Sequence, residues 1–234
     1  MGLMHRLTIH PKAIGRATVA RIKSRWEEIF FLTACFLLFL QVAFFYGAIG
    51  ELAADHGAIA LFSAVDAFVV SRLAYFTVPA FVLPLSFLIF CGKALPWRRQ
   101  YLDVLGIYVI FRLIIQLIGL NILVFDFVSS RFLLITQLLF FLPYSLMVWG
   151  WIYWRLDTLV RERSRPLFHL DCESEKPRPI DYFVASFSSV FSASISAIKG
   201  KSARARILIL CHGFLIYDVM GLTLSRAVAL VQSR

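Results

Sequence analysis

Four ionisable residues stand inside apolar stretches of this chain: Arg112, His212, Asp218 and Arg226. Placing such groups in an apolar medium is costly unless they are paired or wetted, so each is a candidate for ion or proton handling. Asp218 and Arg226 lie two turns apart on one helix, too far for a direct pair. Arg112 with Asp218 is therefore the expected inter-helix ion pair, and a proton or ion relay through His212 is its functional extension. The structural alternative is an ion pair that only holds helices together, with Arg226 reaching out to the interface. A second group is hydroxylic. Ser188, Ser192 and Ser196 recur every four residues and share one helix face, opposite Phe183, Phe187, Phe191 and Ile195. Such hydroxyls could line a polar pathway.

Other chemistry is not indicated. Gly200-Lys201-Ser202 matches the end of a phosphate-binding loop, but that motif needs a glycine where this chain has Ile195. There is no HExxH, no GxSxG and no Cys/His cluster. The four cysteines, Cys35, Cys91, Cys172 and Cys211, lack metal-ligand spacing and read as small buried hydrophobes. No enzyme activity, metal or cofactor is expected.

The elements that must position these residues are set by an apolar composition. Of 234 residues, 60% are hydrophobic and 16% charged, with 23 Phe and a mean hydropathy of +0.78. A soluble domain is nearer half apolar and a quarter charged. The apolar residues fall in long blocks, which predicts an all-α integral membrane protein. It would be a bundle of about five transmembrane helices plus a short re-entrant or interfacial helix.

Residues 1–28 form a basic segment, read either as an amphipathic surface helix or as a frayed tail. Residues 29–154 form a four-span region, with spans at Ile29–Gly50, Leu73–Gly92, Asp103–Phe125 and Phe132–Trp154. The first block reads as an uncleaved anchor, because it is too long for a secretory signal. Residues 51–72 are an outer loop or interfacial helix, with a short extra span as the alternative. Pro79 and Pro84 predict a kink in the second span. Trp149, Trp151, Tyr153 and Trp154 read as a headgroup-level belt. Residues 155–180 form a polar loop. The last unit, 181–231, contains the short Ser-rich segment and a final span at Ile207–Val231.

The net charge of +10 lies beside the apolar blocks, which favours anionic lipid headgroups over nucleic acid as its partner. With the N-terminus inside, all of the 24 Lys and Arg are cytoplasmic except Arg72, Arg131 and Arg234 outside and Arg112 and Arg226 within spans. The positive-inside rule thus predicts a multi-pass protein of the bacterial inner membrane with a cytoplasmic N-terminus and loop 155–180 inside.

The order of features in residues 145–231 resembles a family of small bacterial membrane proteins whose C-terminal part looks like a degenerate potassium-channel pore module. The shared elements are Tyr153-Trp154-Arg155-Leu156-Asp157, then Asp181-Tyr182-Phe183, the stretch around Phe191-Ser192, a basic turn, and Ser225-Arg226-Ala227-Val228. Members of that family continue Phe-Ser with Pro-Thr-Asp, where this chain has Ala193-Ser194-Ile195. The resemblance implies a channel-like protein that conducts ions with low selectivity, or a scaffold that has kept the fold and lost conduction. It places Ser188, Ser192, Ser194 and Ser196 beside the pathway. One such segment per chain cannot surround an ion, so a homo-oligomer is implied. The filter glycines would fall on Ser194 and Ser196, and no glycine occurs between Gly150 and Gly200. A potassium filter built on glycine backbone is therefore not expected.

Overall fold

A computed structural model describes residues 24–45, 64–65, 68–90, 95–125, 131–161, 166–172, 176–192 and 197–232. Among them are six α-helices and one short antiparallel ribbon. Helix α1 is Trp26–Phe45, and a π-helical segment, Phe68–Leu73, runs directly into α2, Ala74–Phe90. Then come α3 (Arg98–Phe125), α4 (Arg131–Arg161), β1 (Phe168–Leu170), α5 (Pro179–Ser192), β2 (Ile198–Gly200) and α6 (Ala203–Gln232).

Three helices are long and apolar enough to cross a membrane, over Trp26–Ala43, Arg98–Asn121 and Ala203–Leu222, while Tyr75–Phe90 is apolar but shorter. Their apolar residues go all the way round. In α1, Phe31 and Leu38 are buried while Phe36 and Phe39 are exposed. Elsewhere Phe76, Phe90 and Ile107 are 70% exposed or more. An apolar exterior of this kind is compatible with lipid as the surrounding solvent.

Consecutive long helices reverse direction, so one end of the bundle collects residues distant in sequence. Arg98 and Arg99 at the start of α3 meet Glu28 and Glu27 at the start of α1. Arg155 near the end of α4 meets Asp103, and Trp154 meets Trp26 with ring centroids 4.3 Å apart. The ribbon closes over the same end, Phe168 packing edge-on against Tyr153.

Close packing between helices depends on two glycines. A Cβ on Gly106 of α3 would collide with the Trp151 ring of α4. A Cβ on Gly150 of α4 would lie 3.0 Å from the Phe183 Cα and 2.6 Å from its ring, so α5 rests directly on the α4 backbone.

Two expectations change. Helix α4 runs without interruption to Arg161, so the polar loop expected from residue 155 begins as helix. The aromatic cluster near its end is core more than belt. Trp149, Trp151 and Tyr153 are 7%, 5% and 0% exposed, because each ring is packed against another helix. The second span runs as helix through both Pro79 and Pro84. Most of the 51–72 segment and the basic segment 1–23 lie outside the described residues.

Candidate functional site

The two halves of the C-terminal sequence pattern meet at one carboxylate. Asp157, fully buried in α4, accepts the backbone N–H groups of Leu167 at 2.7 Å and Phe168 at 3.1 Å on one oxygen. Its other oxygen accepts from the Tyr182 hydroxyl at 2.5 Å and from Arg161 at 2.6 Å. One side chain thus fixes the end of α4, the start of β1 and the first turn of α5. Tyr182 remains the donor in this arrangement. Burial, and after it the Asp157 carboxylate, raises its phenol well above the ordinary value.

The local sequence explains why α5 starts where it does. Pro179 occupies the first helical position, where a missing N–H costs nothing. Asp181 reaches back to the Arg178 N–H at 2.6 Å while its own N–H bonds the Arg178 carbonyl at 3.0 Å, a reciprocal cap. From there α5 runs antiparallel to α4, and the Ser186 hydroxyl donates to the Leu146 carbonyl at 2.8 Å. The ribbon joins the two sides of this excursion, with Phe168 opposite Gly200, His169 opposite Lys199 and Leu170 opposite Ile198. Lys201 extends it by donating to the Leu167 carbonyl, and Ser202 caps α6 through the Ala205 N–H. Gly200-Lys201-Ser202 is therefore a strand end followed by a helix cap.

The serine series divides. Ser188 is half-buried and donates to the Ala185 carbonyl of its own helix at 2.9 Å. The Ser192 side chain, and Ser194 and Ser196 entirely, lie outside the described residues. The serines buried against the bundle are Ser186 and Ser189, which the four-residue spacing does not single out. The exposed face of α5 is apolar, carrying Ile180, Val184 and Phe187.

The intramembrane charge candidates are also not brought together. Arg112 is fully buried and donates to the Val69 carbonyl of the π-helical segment at 2.5 Å. Asp218 instead accepts from Asn121 of α3 at 2.9 Å. The expected Arg112–Asp218 pair is not made. Arg112 and Asn121 are nine residues apart on α3, about two and a half turns, so they point from opposite faces of that helix. His212 is fully buried and stacks on Trp149 with centroids 4.7 Å apart. Its Nδ1 lies 2.9 Å from the Tyr153 hydroxyl, with neither Arg112 nor Asp218 as a partner. The relay expected through it reaches only the Tyr153 hydroxyl among the described residues, since its Nε2 has no partner there. The Arg226 side chain lies outside them.

No protein-family model, curated protein or solved structure matches the chain. Among the described residues no group of His, Cys, Asp or Glu is arranged to hold a metal ion.

Two polar arrangements go beyond what the sequence suggests. At the basic end, Glu27 accepts from Arg99 at 2.8 Å and from the Trp151 indole at 3.1 Å, and Glu28 accepts from Arg98 at 2.6 Å and Arg25 at 3.2 Å. Asp103 takes Arg99 and a two-pronged Arg155 at 2.9 Å. Acids in the first turn of α1 also suit the positive end of its dipole. Within the helices, Gln116 donates to Gln41, and Gln41 donates to Gln137 at 3.1 Å. This buried ladder ties α3, α1 and α4 together. The signal for the first is the Glu-Glu pair before one apolar block and the Arg-Arg pair before another. The signal for the second is a lone glutamine in each of three apolar blocks.

Proposed function

We propose that the chain is a multi-pass protein of the bacterial inner membrane, with five crossing helices, a cytoplasmic N-terminus and a channel-like C-terminal module that conducts ions with low selectivity as a homo-oligomer. The observation that carries this reading is the tethered excursion between β1 and β2. The short helix α5 runs back along α4 from the basic end, its base is pinned by Asp157 and the ribbon, and α4 and α6 flank it. A short helix held between two long ones by a fixed base is how a re-entrant segment is built where its backbone groups must be satisfied within the protein. The resemblance of residues 145–231 to pore modules supports the same assignment. On it, Ser188, Ser192, Ser194 and Ser196 face the pathway, and several chains are needed to surround an ion.

A second reading is favoured by a specific observation. Ser186, Ser188 and Ser189 each spend their hydroxyl on a backbone carbonyl, and the exposed face of α5 is apolar. A non-conducting scaffold or accessory subunit that kept a channel-like fold would use α5 in this way. Ion flux from liposomes containing the purified protein separates the two. Conduction abolished by Ser192→Leu, with the oligomer intact, supports the channel reading. Unchanged flux in that variant removes Ser192 from the pathway, and no flux from the unaltered protein leaves the scaffold.

A further inference from the structure

The π-helical turn Phe68–Leu73, Pro79 and Pro84 divide residues 68–90 into short stretches of regular backbone. A proline brings no N–H to its turn and crowds the carbonyl four residues back, so a helix bends there at little cost. Each of the first three stretches is tied to α3 by its own side chain. In the π-helical turn, the Val69 carbonyl accepts from Arg112 at 2.5 Å. Between that turn and Pro79, the Thr77 hydroxyl spends its proton on the Leu73 carbonyl at 2.7 Å. The Tyr108 hydroxyl, also 2.7 Å from it, is therefore the donor. Between the two prolines, the Phe81 carbonyl accepts from Tyr101 at 2.9 Å. Tyr101, Tyr108 and Arg112 recur at helical spacing and share one face of α3. Their targets run in the reverse order, as antiparallel neighbours require.

The packing around α2 is uneven. It lies along α1, whereas α3 reaches it through these long side chains. Beside Pro79 the α1 side is open as well. A groove of about 630 Å³ lies there, lined by Leu32, Thr33, Phe36 and Phe39 of α1 and by Pro79 and Val82 of α2. Helices α1, α3 and α4, by contrast, are joined to one another by the glutamine ladder and by the acids and arginines of the basic end. We propose that residues 68–90 are the moving part of this bundle. They form a segmented helix that bends at Pro79 into the groove against α1, with Tyr101, Tyr108 and Arg112 of α3 as separate latches. The three hydrogen bonds are each set to one acceptor, so a bend that closes the groove cannot keep them all. The fixed framework of α1, α3 and α4 keeps its own bonds meanwhile. The inference is independent of conduction. It supplies a channel with a gate, and a scaffold with an adjustable surface that carries the exposed Phe76.

Backbone amide exchange of the full-length protein in detergent, read by mass spectrometry of its fragments, tests this. Amides of 68–83 are expected to exchange about tenfold faster than those of the facing stretch 101–112 of α3. Equal protection of the two stretches overturns the proposal. Tyr101→Phe keeps the ring and removes the hydroxyl. It should speed exchange about fivefold at 80–83 and leave 68–73 and α4 unchanged. Tyr108→Phe should act in the same way at 74–78, because its edge-on contact with Phe81, ring centroids 4.9 Å apart, is kept. Equal acceleration along all of 68–90 in both variants overturns the segmented hinge, since α2 then opens as one rigid helix. No acceleration in either overturns the latches. Thr33→Trp fills the groove and should slow exchange over 74–83 severalfold by removing the room for the bend. Unaltered or faster exchange there overturns the bend into the groove.

Discussion

The Tyr182 hydroxyl and the Asp157 carboxylate, 25 residues apart in sequence, meet at 2.5 Å in a buried setting. Asp157 also takes two backbone N–H groups of the chain entering β1, so its removal strands several donors at once. Asp157→Ala is expected to cost about 3–5 kcal/mol, the range for breaking a buried charged network. Tyr182→Phe removes one bond and should cost about 1–3 kcal/mol. Thermal or denaturant unfolding of the purified protein, run as a double-mutant cycle, reads the coupling. Additive effects would show that the two residues act separately and that Asp157 does not pin α5.

A second test concerns the seat of α5. Gly150 lets the Phe183 backbone come so close to α4 that even a methyl group is crowded. Gly150→Ala should destabilise by about 1–3 kcal/mol through overpacking. Phe183→Ala in the same chain should relieve only the ring clash, because the backbone of residue 183 still stands 3.0 Å from the added methyl. Full rescue by the double variant would place the strain in the ring alone.

Arg112 supplies a third. Its Nε and Nη2 have no partner among the described residues, and Gln116, one turn on, has an unpartnered Oε1. A buried guanidinium with two unpartnered nitrogens carries an uncompensated desolvation cost, which Met removes at the loss of the one bond to the Val69 carbonyl. Arg112→Met is therefore expected to raise stability by about 1 kcal/mol. A large loss instead would mean that an acceptor outside the described residues completes the guanidinium. Asp66, three residues before Val69 in sequence, is the first to test by Asp66→Asn.

The legible and illegible parts of this chain differ for physical reasons. Long apolar blocks write themselves into composition, so α1, α3 and α6 can be read directly, with ends shifted by a few residues. The end of α4 cannot, because Arg155, Asp157 and Arg161 read as solvated charges when in fact Asp103, Tyr182 and the Asp157 carboxylate itself satisfy them. The serine face of α5 rests on period alone, which cannot say which face meets α4. Ser186 and Ser189 are buried while Ser188, one position away from Ser189, is only half-buried. Pairing Arg112 with Asp218 fails because matching opposite charges ignores which faces of α3 meet which neighbours. The glutamine ladder escapes notice because an uncharged residue in an apolar block carries little signal, although three on neighbouring helices can satisfy one another.

The last test sets the direction of the whole bundle. The described helices place the starts of α1 and α3, the end of α4 and the ribbon at one end, which is also the basic end. Cys172 lies at that end, just beyond β1, and is partly exposed. In a chain whose other cysteines are replaced by serine, a membrane-impermeant thiol reagent should label Cys172 only after lysis. That outcome agrees with the positive-inside rule and makes α5 enter from the cytoplasmic side. A potassium-channel pore helix enters from the opposite side, so this result would separate the module from such pores in mechanism even if it shares their shape. Labelling of Cys172 in intact cells would reverse the bundle, put its arginine-rich end outside and bring α5 into the pore-helix orientation. The charge cluster around Glu27, Glu28 and Asp103 would then be read as neutralising arginines that had to be exported.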